Sequence, residues 1–420
     1  MMNPQWPTYM LEDCMEAIID YRGKTPKKTT FGIPLITAKI IKKGTILPVE
    51  EYISPDDYNE WMRRGLPKQG DVVLTTEAPL GEVAQLQNSK VALAQRVVTL
   101  RGKNGFLDNT FLKYLLLDNS VQNLLKSKST GTTVTGIKQR ELRKIKLSFP
   151  PFSEQQAIAH ILGTLDDKIE LNRRQNATLE AVAQAIFKEW FVDFGPVRAK
   201  MEGRQPEGMS REIADLFPDR LDDEGKPEGW EWAVLSDCCE INPKRVLQKN
   251  KYASYLDMSN MPTTNALPHK WNMRNFTSGM KFMNGDTLIA RITPCLENGK
   301  TAFVDFLKNG EVGWGSTEYI VLRPKANISP FWGYLLSKTD EFRKFAIQSM
   351  TGTSGRQRVQ VDQLAGFQIV KAPDTIHNIV KMQFDSIVRK LSKNRNEANI
   401  LIDIRDTLLP KLISGELRVP

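Results

Sequence analysis

The side chains best suited to chemistry in this chain are basic and hydroxyl groups in two turn-rich loops. The first loop carries Arg22, Lys24, Lys27, Lys28 and Thr29. The second loop carries Lys244 and Arg245. Lysine mostly contacts phosphate oxygens, whereas arginine also pairs with the edge of guanine. These loops therefore predict contacts with a nucleic acid.

Two Thr-Gly-Thr segments, at residues 130–132 and 351–353, are each followed by basic and amide side chains. The residues that follow are Lys138, Gln139 and Arg140 in the first copy and Arg356, Gln357 and Arg358 in the second. Arginine pairs with guanine, and glutamine with adenine, in the major groove of DNA. We therefore predict that both clusters contact DNA. For any single residue, a solvated surface charge is the alternative interpretation.

The sequence lacks the motifs of an enzyme that acts on DNA. It contains neither a glycine-rich nucleotide fingerprint after a strand nor a phosphate-binding loop of the form G-x-x-x-x-G-K-[ST]. Residues 242–244 (Asn-Pro-Lys) break the N/D-P-P-aromatic pattern of amino-methyltransferases. Residues 218–226 approach a metal-dependent nuclease motif, but the motif is compressed into an acidic segment. No catalytic residue is therefore predicted.

The cysteines and histidines are too few and too scattered for a disulfide framework or a metal site. They are Cys14, Cys238, Cys239, Cys295, His160, His269 and His377. A zinc site needs several of these ligands close together, and no C-x-x-C motif occurs. We therefore expect no bound metal, and a histidine general base has little support.

The net charge of +9 is concentrated in two blocks of the sequence. Residues 1–150 contain 22 Lys and Arg against 15 Asp and Glu, and residues 230–373 contain 18 against 12. Such blocks attract phosphate backbones, although a basic surface kept for solubility is an alternative. No apolar run approaches the roughly 18 residues of a membrane-spanning helix, and the N-terminus lacks a signal-peptide layout. We therefore expect a soluble, cytoplasmic protein.

An internal repeat decides the predicted architecture. Trp6, Leu11, Asp13 and Cys14 recur, shifted by 224 positions, as Trp230, Leu235, Asp237 and Cys238. Further matches pair Gly70-Asp71 with Gly285-Asp286, residues 111–116 with 331–336, and the two Thr-Gly-Thr segments with each other. The matches keep their order along the chain, which indicates a duplicated unit.

Each copy begins with a module of mixed secondary structure. Segments 71–75, 96–100 and 319–322 are rich in β-branched residues and predict strands. Residues 109–126 have helical spacing, with Asn109 as the expected N-cap. These patterns predict modules of the α/β (α+β) class without determining their topology.

Each copy ends in a long helix with a heptad pattern. The first helix is expected to start at the cap Ser153 and to reach Phe191, and the second is shifted by 222 residues. The predicted seam comprises Ile158, Leu162, Leu165, Ile169, Asn172, Leu179, Ile186, Trp190, Val380, Phe384, Ile387, Leu391, Asn394, Leu401, Leu408 and Leu412. This spacing predicts a coiled coil. It should be antiparallel, because a twofold relation between the copies makes equivalent helices run in opposite directions.

Two seam positions and one proline make more specific predictions. Asn172 and Asn394 are equivalent, and a buried polar seam residue often fixes register and partner choice. A loosely packed, hydrated middle of the helix pair is the alternative. Pro410 predicts a kink or an end of the second helix.

These patterns divide the chain into five segments. They are a module at 1–150, a helix at 151–195, a linker at 196–229, a module at 230–373 and a helix at 374–420. The linker is rich in Pro and Gly and is net acidic, with a short helix expected around residues 210–216.

The two helical segments resemble the conserved helices of type I restriction–modification specificity subunits. The resemblance rests on residues 150–159 (PPFSEQQAIA), 165–172 and 179–191, and on residues 408–417 (LLPKLISGEL). The two Gly-Asp pairs match the strand starts of that family's target recognition domains. The second helix has Ile-His-Asn at 376–378 where the first has Glu-Gln-Gln at 154–156. Any contact made by that Glu-Gln pair is therefore in question for the second copy.

The resemblance implies a non-catalytic subunit whose two modules are target recognition domains. Such a subunit reads a bipartite, asymmetric site in double-stranded DNA, with one module on each half-site. The resemblance also implies docking of two modification subunits, which carry adenine methyltransferase chemistry and S-adenosylmethionine. Two restriction subunits that use ATP and Mg complete the complex, and this chain itself is expected to bind no cofactor.

Two other functions stay open at the level of the sequence. One is a coiled-coil scaffold whose modules bind protein, and the other is a stand-alone DNA methyltransferase or nuclease fragment. The two basic modules around an acidic middle count against the scaffold. The missing cofactor and metal motifs count against the enzyme fragment.

Overall fold

The computed structural model describes residues 6–21, 25–131, 134–353 and 355–419. The chain divides into two compact units: unit 1 comprises Met1–Ile169 and Ile400–Pro420, and unit 2 comprises Glu170–Asn399. Both units combine short β-strands with α-helices, which confirms the predicted mixed α/β class. The five segment boundaries given above stay predictions.

Unit 1 contains twelve strands among its described residues. They are β1 (Thr8–Met10), β2 (Met15–Asp20), β3 (Lys28–Thr29), β4 (Ile33–Ile36), β5 (Ile41–Lys42), β6 (Thr45–Ile46), β7 (Tyr52–Ile53), β8 (Val72–Thr76), β9 (Leu80–Gln85), β10 (Ala92–Leu93), β11 (Val97–Gly102) and β12 (Lys146–Ser148). Its shorter helices are α1 (Leu11–Cys14), α2 (Tyr58–Trp61), α3 (Asn109–Leu117), α4 (Asn119–Ser127) and α5 (Gln139–Arg143). The long helix α6 (Phe152–Phe191) begins in unit 1 and ends in unit 2.

Unit 2 contains a similar set of elements. Its shorter helices are α7 (Gly195–Met201), α8 (Arg211–Ala214), α9 (Leu235–Cys238), α10 (Trp332–Ser337), α11 (Asp340–Gln348) and α12 (Val361–Ala365). Its strands are β13 (Glu231–Val234), β14 (Cys239–Ile241), β15 (Tyr252–Leu256), β16 (Asn272–Asn275), β17 (Met280–Phe282), β18 (Thr287–Ala290), β19 (Thr301–Phe303), β20 (Gly313–Gly315), β21 (Tyr319–Pro324), β22 (Met350–Thr351), β23 (Arg358–Val359) and β24 (Gln368–Lys371). The long helix α13 (Asp374–Ser414) begins in unit 2 and ends in unit 1.

Both units are built on the same central sheet. Unit 1 has a four-stranded antiparallel sheet in the order β2-β11-β8-β9, and unit 2 has one in the order β14-β21-β18-β19. A second four-stranded sheet in each unit contains one parallel pair, β4 with β10 and β15 with β20. The duplication found in the sequence is therefore a duplication of strand order.

The central strands form because both faces of their sheet are covered. All residues of β8 and β18 are buried. In β8, Val72 and Leu74 face one apolar cluster while Val73 faces another. In β18, Leu288 and Ile289 divide between two clusters in the same way. A strand buried on both faces reads as a continuous apolar run, which is why the sequence pattern located β8.

The predicted helix over residues 109–126 is two helices. Asp108, not Asn109, caps α3, and its carboxylate accepts a hydrogen bond from the Phe111 amide at 2.8 Å. Asp118 then ends α3 and caps α4, accepting from the Ser120 amide at 2.9 Å. Aspartate competes well for free amides at a helix start, so a second cap inside an apolar pattern divides the helix.

The long helices extend slightly beyond the predicted ends. Helix α6 already includes Phe152, so Ser153 lies within the first turn and does not cap it. Pro410 lies inside α13, which continues to Ser414, so the helix does not end at the proline. All sixteen predicted seam residues are buried or half-buried. Several of them pack against the modules as well, among them Ile158 and Leu162 in unit 1 and Phe384 in unit 2.

Polar contacts in unit 2 show that the two long helices run in opposite chain directions there. In unit 2, the Asn172 amide donates to Glu397 at 3.2 Å, and the Asn176 amide donates to the Leu391 carbonyl at 3.0 Å. Asn394 donates to the side-chain oxygen of Asn176 at 3.0 Å. In unit 1, Arg405 and Asp166 form an ion pair at 2.8 Å. The two predicted polar seam residues thus have hydrogen-bond partners on the opposite helix.

A tyrosine hydroxyl joins each module to helix α6. In unit 1, Tyr114 of α3 donates to Asp166 at 2.7 Å. Burial alone would raise the pKa of Asp166, but Lys113 and Arg405 hold that pKa below its ordinary value. In unit 2, Tyr334 of α10 donates to the buried Glu180 at 2.5 Å. Burial raises the pKa of Glu180 and outweighs the hydrogen bonds from Tyr334 and the Ala266 amide and the attraction of Lys338.

The segment predicted as a linker is packed against unit 2. It contains α7 and α8, the latter at the place where a short helix was predicted. Phe217 and Trp230 are buried beside Trp190 of α6, with 5.2 Å between the rings of Trp190 and Phe217. This part of the chain is therefore folded core, although its composition is typical of a linker.

Candidate nucleic-acid interface

Each Thr-Gly-Thr segment begins a loop that is anchored at the end of a central strand. In unit 1, Thr130 and Gly136 exchange backbone hydrogen bonds at 2.8 and 3.0 Å, and the Ile137 amide donates to the Thr76 carbonyl of β8. In unit 2, β22 pairs with β23, and the Val359 amide donates to the Arg291 carbonyl beyond β18. Thr132 lies outside the described residues. Two equivalent loops thus stand at the same end of equivalent sheets.

The strand register shows that the two predicted clusters are not equivalent positions. Arg358 pairs with Thr351, whereas the partner of Thr130 is Gly136. Arg358 therefore corresponds to Gly136, and not to Arg140 as the similar composition suggested. Lys138, Gln139 and Arg140 lie after the loop, at the start of α5. Composition located both clusters, but only the ladder of hydrogen bonds aligns them.

The cluster of unit 1 is accessible to a large ligand. Lys138 is exposed at the N-cap of α5, followed by the half-buried Gln139. The Arg140 side chain is 78% exposed, and within the described part of the chain its one carboxylate contact is with the adjacent Glu141 at 3.2 Å. An ion pair this exposed constrains the arginine little, so Arg140 is free to contact another molecule.

The cluster of unit 2 holds its arginine more firmly. Arg358 donates from Nε to both carboxylate oxygens of Glu318 at 3.0 Å and from Nη2 to one of them at 2.8 Å. These hydrogen bonds raise the pKa of Arg358, so its charge is permanent. Arg356 is exposed, and the Gln357 backbone exchanges hydrogen bonds with Thr293. The loop therefore presents one free arginine and one oriented arginine.

The first basic loop is described only in part. Arg22 and Lys24 lie outside the described residues. Lys27 is exposed, and Lys28 pairs with Glu51 at 2.9 Å. The Thr29 hydroxyl donates to the Phe31 carbonyl at 2.7 Å, within the turn that follows β3. Lys27 is the one of these three side chains with no partner among the described residues.

Arg245 is a correction to the predicted interface. Its side chain is only 11% exposed, and Nη2 donates to both oxygens of the buried Asp286 at 2.7 Å. Arg323 also pairs with Asp286, at 3.0 Å. Withdrawing Arg245 to contact DNA would weaken the compensation of a buried charge. Arg245 is therefore part of the scaffold, whereas its neighbour Lys244 is exposed.

The Gly-Asp pairs that revealed the repeat have the same structural role in both units. Asp71 accepts from the Lys68 amide and forms two hydrogen bonds with Arg101 of the neighbouring strand β11. Asp286 accepts from the Met283 amide and pairs with Arg323 of β21. The sequence analysis used these aspartates as strand markers and missed their partners. Arg101 and Arg323 also match each other in the repeat, which is the signal that could have found them.

The described residues contain no group of three or more His, Cys, Asp or Glu side chains placed to hold a metal ion. In the segment 218–226, Lys226 forms ion pairs with Asp222 and Glu224, and Lys200 pairs with Asp219 at 2.6 Å.

No helix in the described part of the chain is long and apolar enough to cross a membrane.

Comparison with known proteins agrees with this arrangement. A family model described as the type I restriction modification DNA specificity domain matches residues 5–181. The type I restriction enzyme MjaIX specificity subunit of Methanocaldococcus jannaschii is 26% identical, with 99% of this chain and 94% of that protein covered. The EcoAI specificity subunit of Escherichia coli is 39% identical over 139 residues, which are 32% of this chain and 23% of that protein.

A solved structure shares the fold. The crystal structure of a type I restriction–modification S subunit from M. genitalium superposes with a TM-score of 0.57 at 16% identity, covering 98% of this chain and 97% of that one. The solved structure and this chain therefore share a fold. By sequence, residues 5–181 match the specificity-domain model, and nearly the whole chain is similar to a type I restriction enzyme specificity subunit. These similarities agree with the resemblance carried by the helices.

Proposed function

We propose that this chain reads a bipartite, asymmetric site in double-stranded DNA, with one module on each half-site. The observation that carries the proposal is the repeated loop at the end of the repeated central sheet. Each unit presents such a loop with basic side chains beside it, Arg140 in unit 1 and Arg356 and Arg358 in unit 2. Because the loops differ in sequence on a common scaffold, each is suited to a different base sequence.

The two long helices serve in this proposal as an antiparallel coiled coil that connects two tandem target recognition domains. The contacts Asn172–Glu397 and Asn176–Leu391 in unit 2, and Asp166–Arg405 in unit 1, support it. Polar contacts at defined heights along a helix pair favour one register over others, because any slip leaves buried amides without partners.

The proposal includes partner subunits that supply the chemistry. Two modification subunits would dock to the two copies of the repeat and carry S-adenosylmethionine for adenine methylation. Two restriction subunits would add ATP- and Mg-dependent activity in the full complex. A duplicated chain offers two similar surfaces, which explains how one subunit binds two identical partners. Because its substrate is cellular DNA, the complex would act in the cytoplasm.

An exchange of modules tests the proposal. Cells carrying the system are subjected to methylome sequencing before and after residues 1–150 are replaced by the corresponding module of another specificity subunit. One half of the methylated sequence should change and the other half should stay. The reciprocal exchange of residues 230–373 should change the other half. A chain that acts as a protein scaffold would leave the methylated sequence unaltered in both exchanges.

A further inference from the structure

One face of unit 2 carries five cations that sequence reasoning grouped only in part. The basic face is defined here as Lys244, Lys249, Lys251, Arg274 and Lys281. Residues 241–256 and 270–283, which supply it, contain seven Lys and Arg and no Asp or Glu. All five side chains are exposed or half-exposed.

The strand register places these residues on the outer side of the second sheet of unit 2. Arg274 of β16 is opposite Ala253 of β15, and Lys281 of β17 is opposite Trp314 of β20. The loop at residues 244–251 crosses the same side, because Leu247 packs into the small cluster of Ala253, Phe276 and Trp314. Lys281 also donates to the Arg245 carbonyl at 3.2 Å, which ties this loop to the sheet.

Aromatic rings, and not carboxylates, hold two of these cations. The Arg274 guanidinium lies 4.4 Å from the centre of the Tyr255 ring, and the Lys281 ammonium lies 5.1 Å from the centre of the Phe276 ring. Trp314 supports both rings, at 4.4 and 5.3 Å. Within the described chain, no carboxylate is in ion-pair contact with any residue of the basic face. A ring orients a cation without neutralising it, so the charge stays available.

The corresponding sheet of unit 1 is different. Its strand β7 is preceded by Glu50 and Glu51 and followed closely by Asp56 and Asp57. Glu51 neutralises Lys28. Among the described residues, this sheet therefore carries a concentrated positive face without ion-pair partners in unit 2 and not in unit 1.

We propose that the basic face binds the phosphate backbone of double-stranded DNA next to the second half-site, so that unit 2 supplies the larger share of sequence-independent affinity. The inference rests on the proposed function and adds a division of labour between the units. Asp257 is close enough to Arg274 for that cation to help lower the pKa of its carboxyl, but it forms no ion pair with the basic face. Clustered like charges without ion-pair partners are suited to a polyanion, and cations already oriented by packing lose less freedom on binding. Tyr252 and Val246, 64% and 88% exposed, border the face and fit the rim of such a contact.

Salt dependence measures phosphate contacts directly. The full-length chain is titrated between 50 and 200 mM salt with two duplexes. One contains the sequence that methylome sequencing identifies as the target of the system, and the other lacks it. The triple variant Lys249→Ala, Lys251→Ala and Arg274→Ala should flatten the slope of log affinity against log salt by about 2.7 on both duplexes, at ~0.9 for each phosphate contact. Between 50 and 200 mM salt, the fold-loss of DNA affinity should therefore be about 40 times smaller for the variant than for the parent.

Two control variants keep the result interpretable. Replacing Lys344, Lys390 and Lys393 by alanine removes three exposed charges from unit 2 away from the basic face and should leave the slope unchanged. The variant Lys249→Arg and Lys251→Arg keeps the charge and should keep the slope.

The outcomes separate this inference from the proposed function. If the parent prefers the duplex that contains the target sequence and the triple variant keeps the parental slope, the inference is wrong and the proposed function stands. If the control variant flattens the slope equally, the effect is one of total charge and the inference is also wrong. If the triple variant loses a partner subunit while its DNA slope stays, the face binds an acidic protein. If the parent has no sequence preference, the proposed function itself fails.

Discussion

Replacing Arg358 by alanine tests whether unit 2 reads its own half of the DNA site. Glu318 holds the Nε–Nη2 side of the guanidinium, and Nη1 is 3.4 Å from the Arg356 carbonyl. The Arg358 side chain is 41% exposed and the plane of its guanidinium is fixed, so the other edge of the group is prepared for a bidentate contact with guanine. A good arginine–guanine pair discriminates by about 1–3 kcal/mol, which corresponds to a loss of about 5- to 160-fold in affinity.

The assay is competition binding with duplexes in which one half-site at a time is randomised. The Arg358→Ala variant should lose its preference at one position of one half-site and keep the other half-site unchanged. Arg140→Ala is the matched variant in unit 1 and should relax the opposite half-site. Glu318→Gln keeps an oxygen that accepts from Arg358 and should produce a smaller loss than Arg358→Ala.

Two results would refute the reasoning. Equal weakening at both half-sites would show that Arg358 contributes charge and not readout. An unchanged preference would show that the Arg358–Glu318 pair is only structural. Because exposed ion pairs contribute little to folding, the variants should keep the parental unfolding temperature, and this measurement excludes misfolding as the cause.

Three further predictions concern other residues. Lys27→Ala should weaken binding to all DNA sequences alike and flatten the salt slope by ~0.9, and a loss confined to one sequence would contradict a phosphate contact. Asp286→Ala should lower the free energy of unfolding, measured in urea, by about 3–5 kcal/mol because it leaves Arg245 and Arg323 without their buried partner. The control Asp362→Ala, at an exposed position, should change that free energy by less than ~0.5 kcal/mol. Burial lowers the pKa of His377 from 6.5 to about 4, so the unfolded chain binds the proton more tightly; stability should fall by about 3 kcal/mol as the pH drops from 6.5 to 4. His377→Gln should remove that part of the pH dependence, and identical pH profiles of the two proteins would argue against it.

The sequence alone determined the features that depend on local periodicity. The strands at residues 71–75, 96–100 and 319–322 were located because both faces of a central sheet are apolar. The long helices were located because their seam residues recur at heptad spacing and are buried or half-buried. The duplication and the resemblance to a known family followed as well, because repeated residues at a nearly constant offset and the helix motifs are visible without coordinates.

Only the tertiary structure decided which charged residues of the predicted interface are exposed. Arg245 and Lys244 are neighbours in a basic loop, but the buried Asp286 withdraws one of them and leaves the other exposed. Arg358 was grouped with Arg140 by composition, whereas the strand register pairs it with Gly136. The basic face combines two segments separated by about twenty residues, and Tyr255 and Phe276 orient its cations. Contacts between residues distant in sequence set burial and charge compensation, and no local pattern encodes them. The sequence therefore predicted the kind of site, while the packing decided which of its residues are exposed.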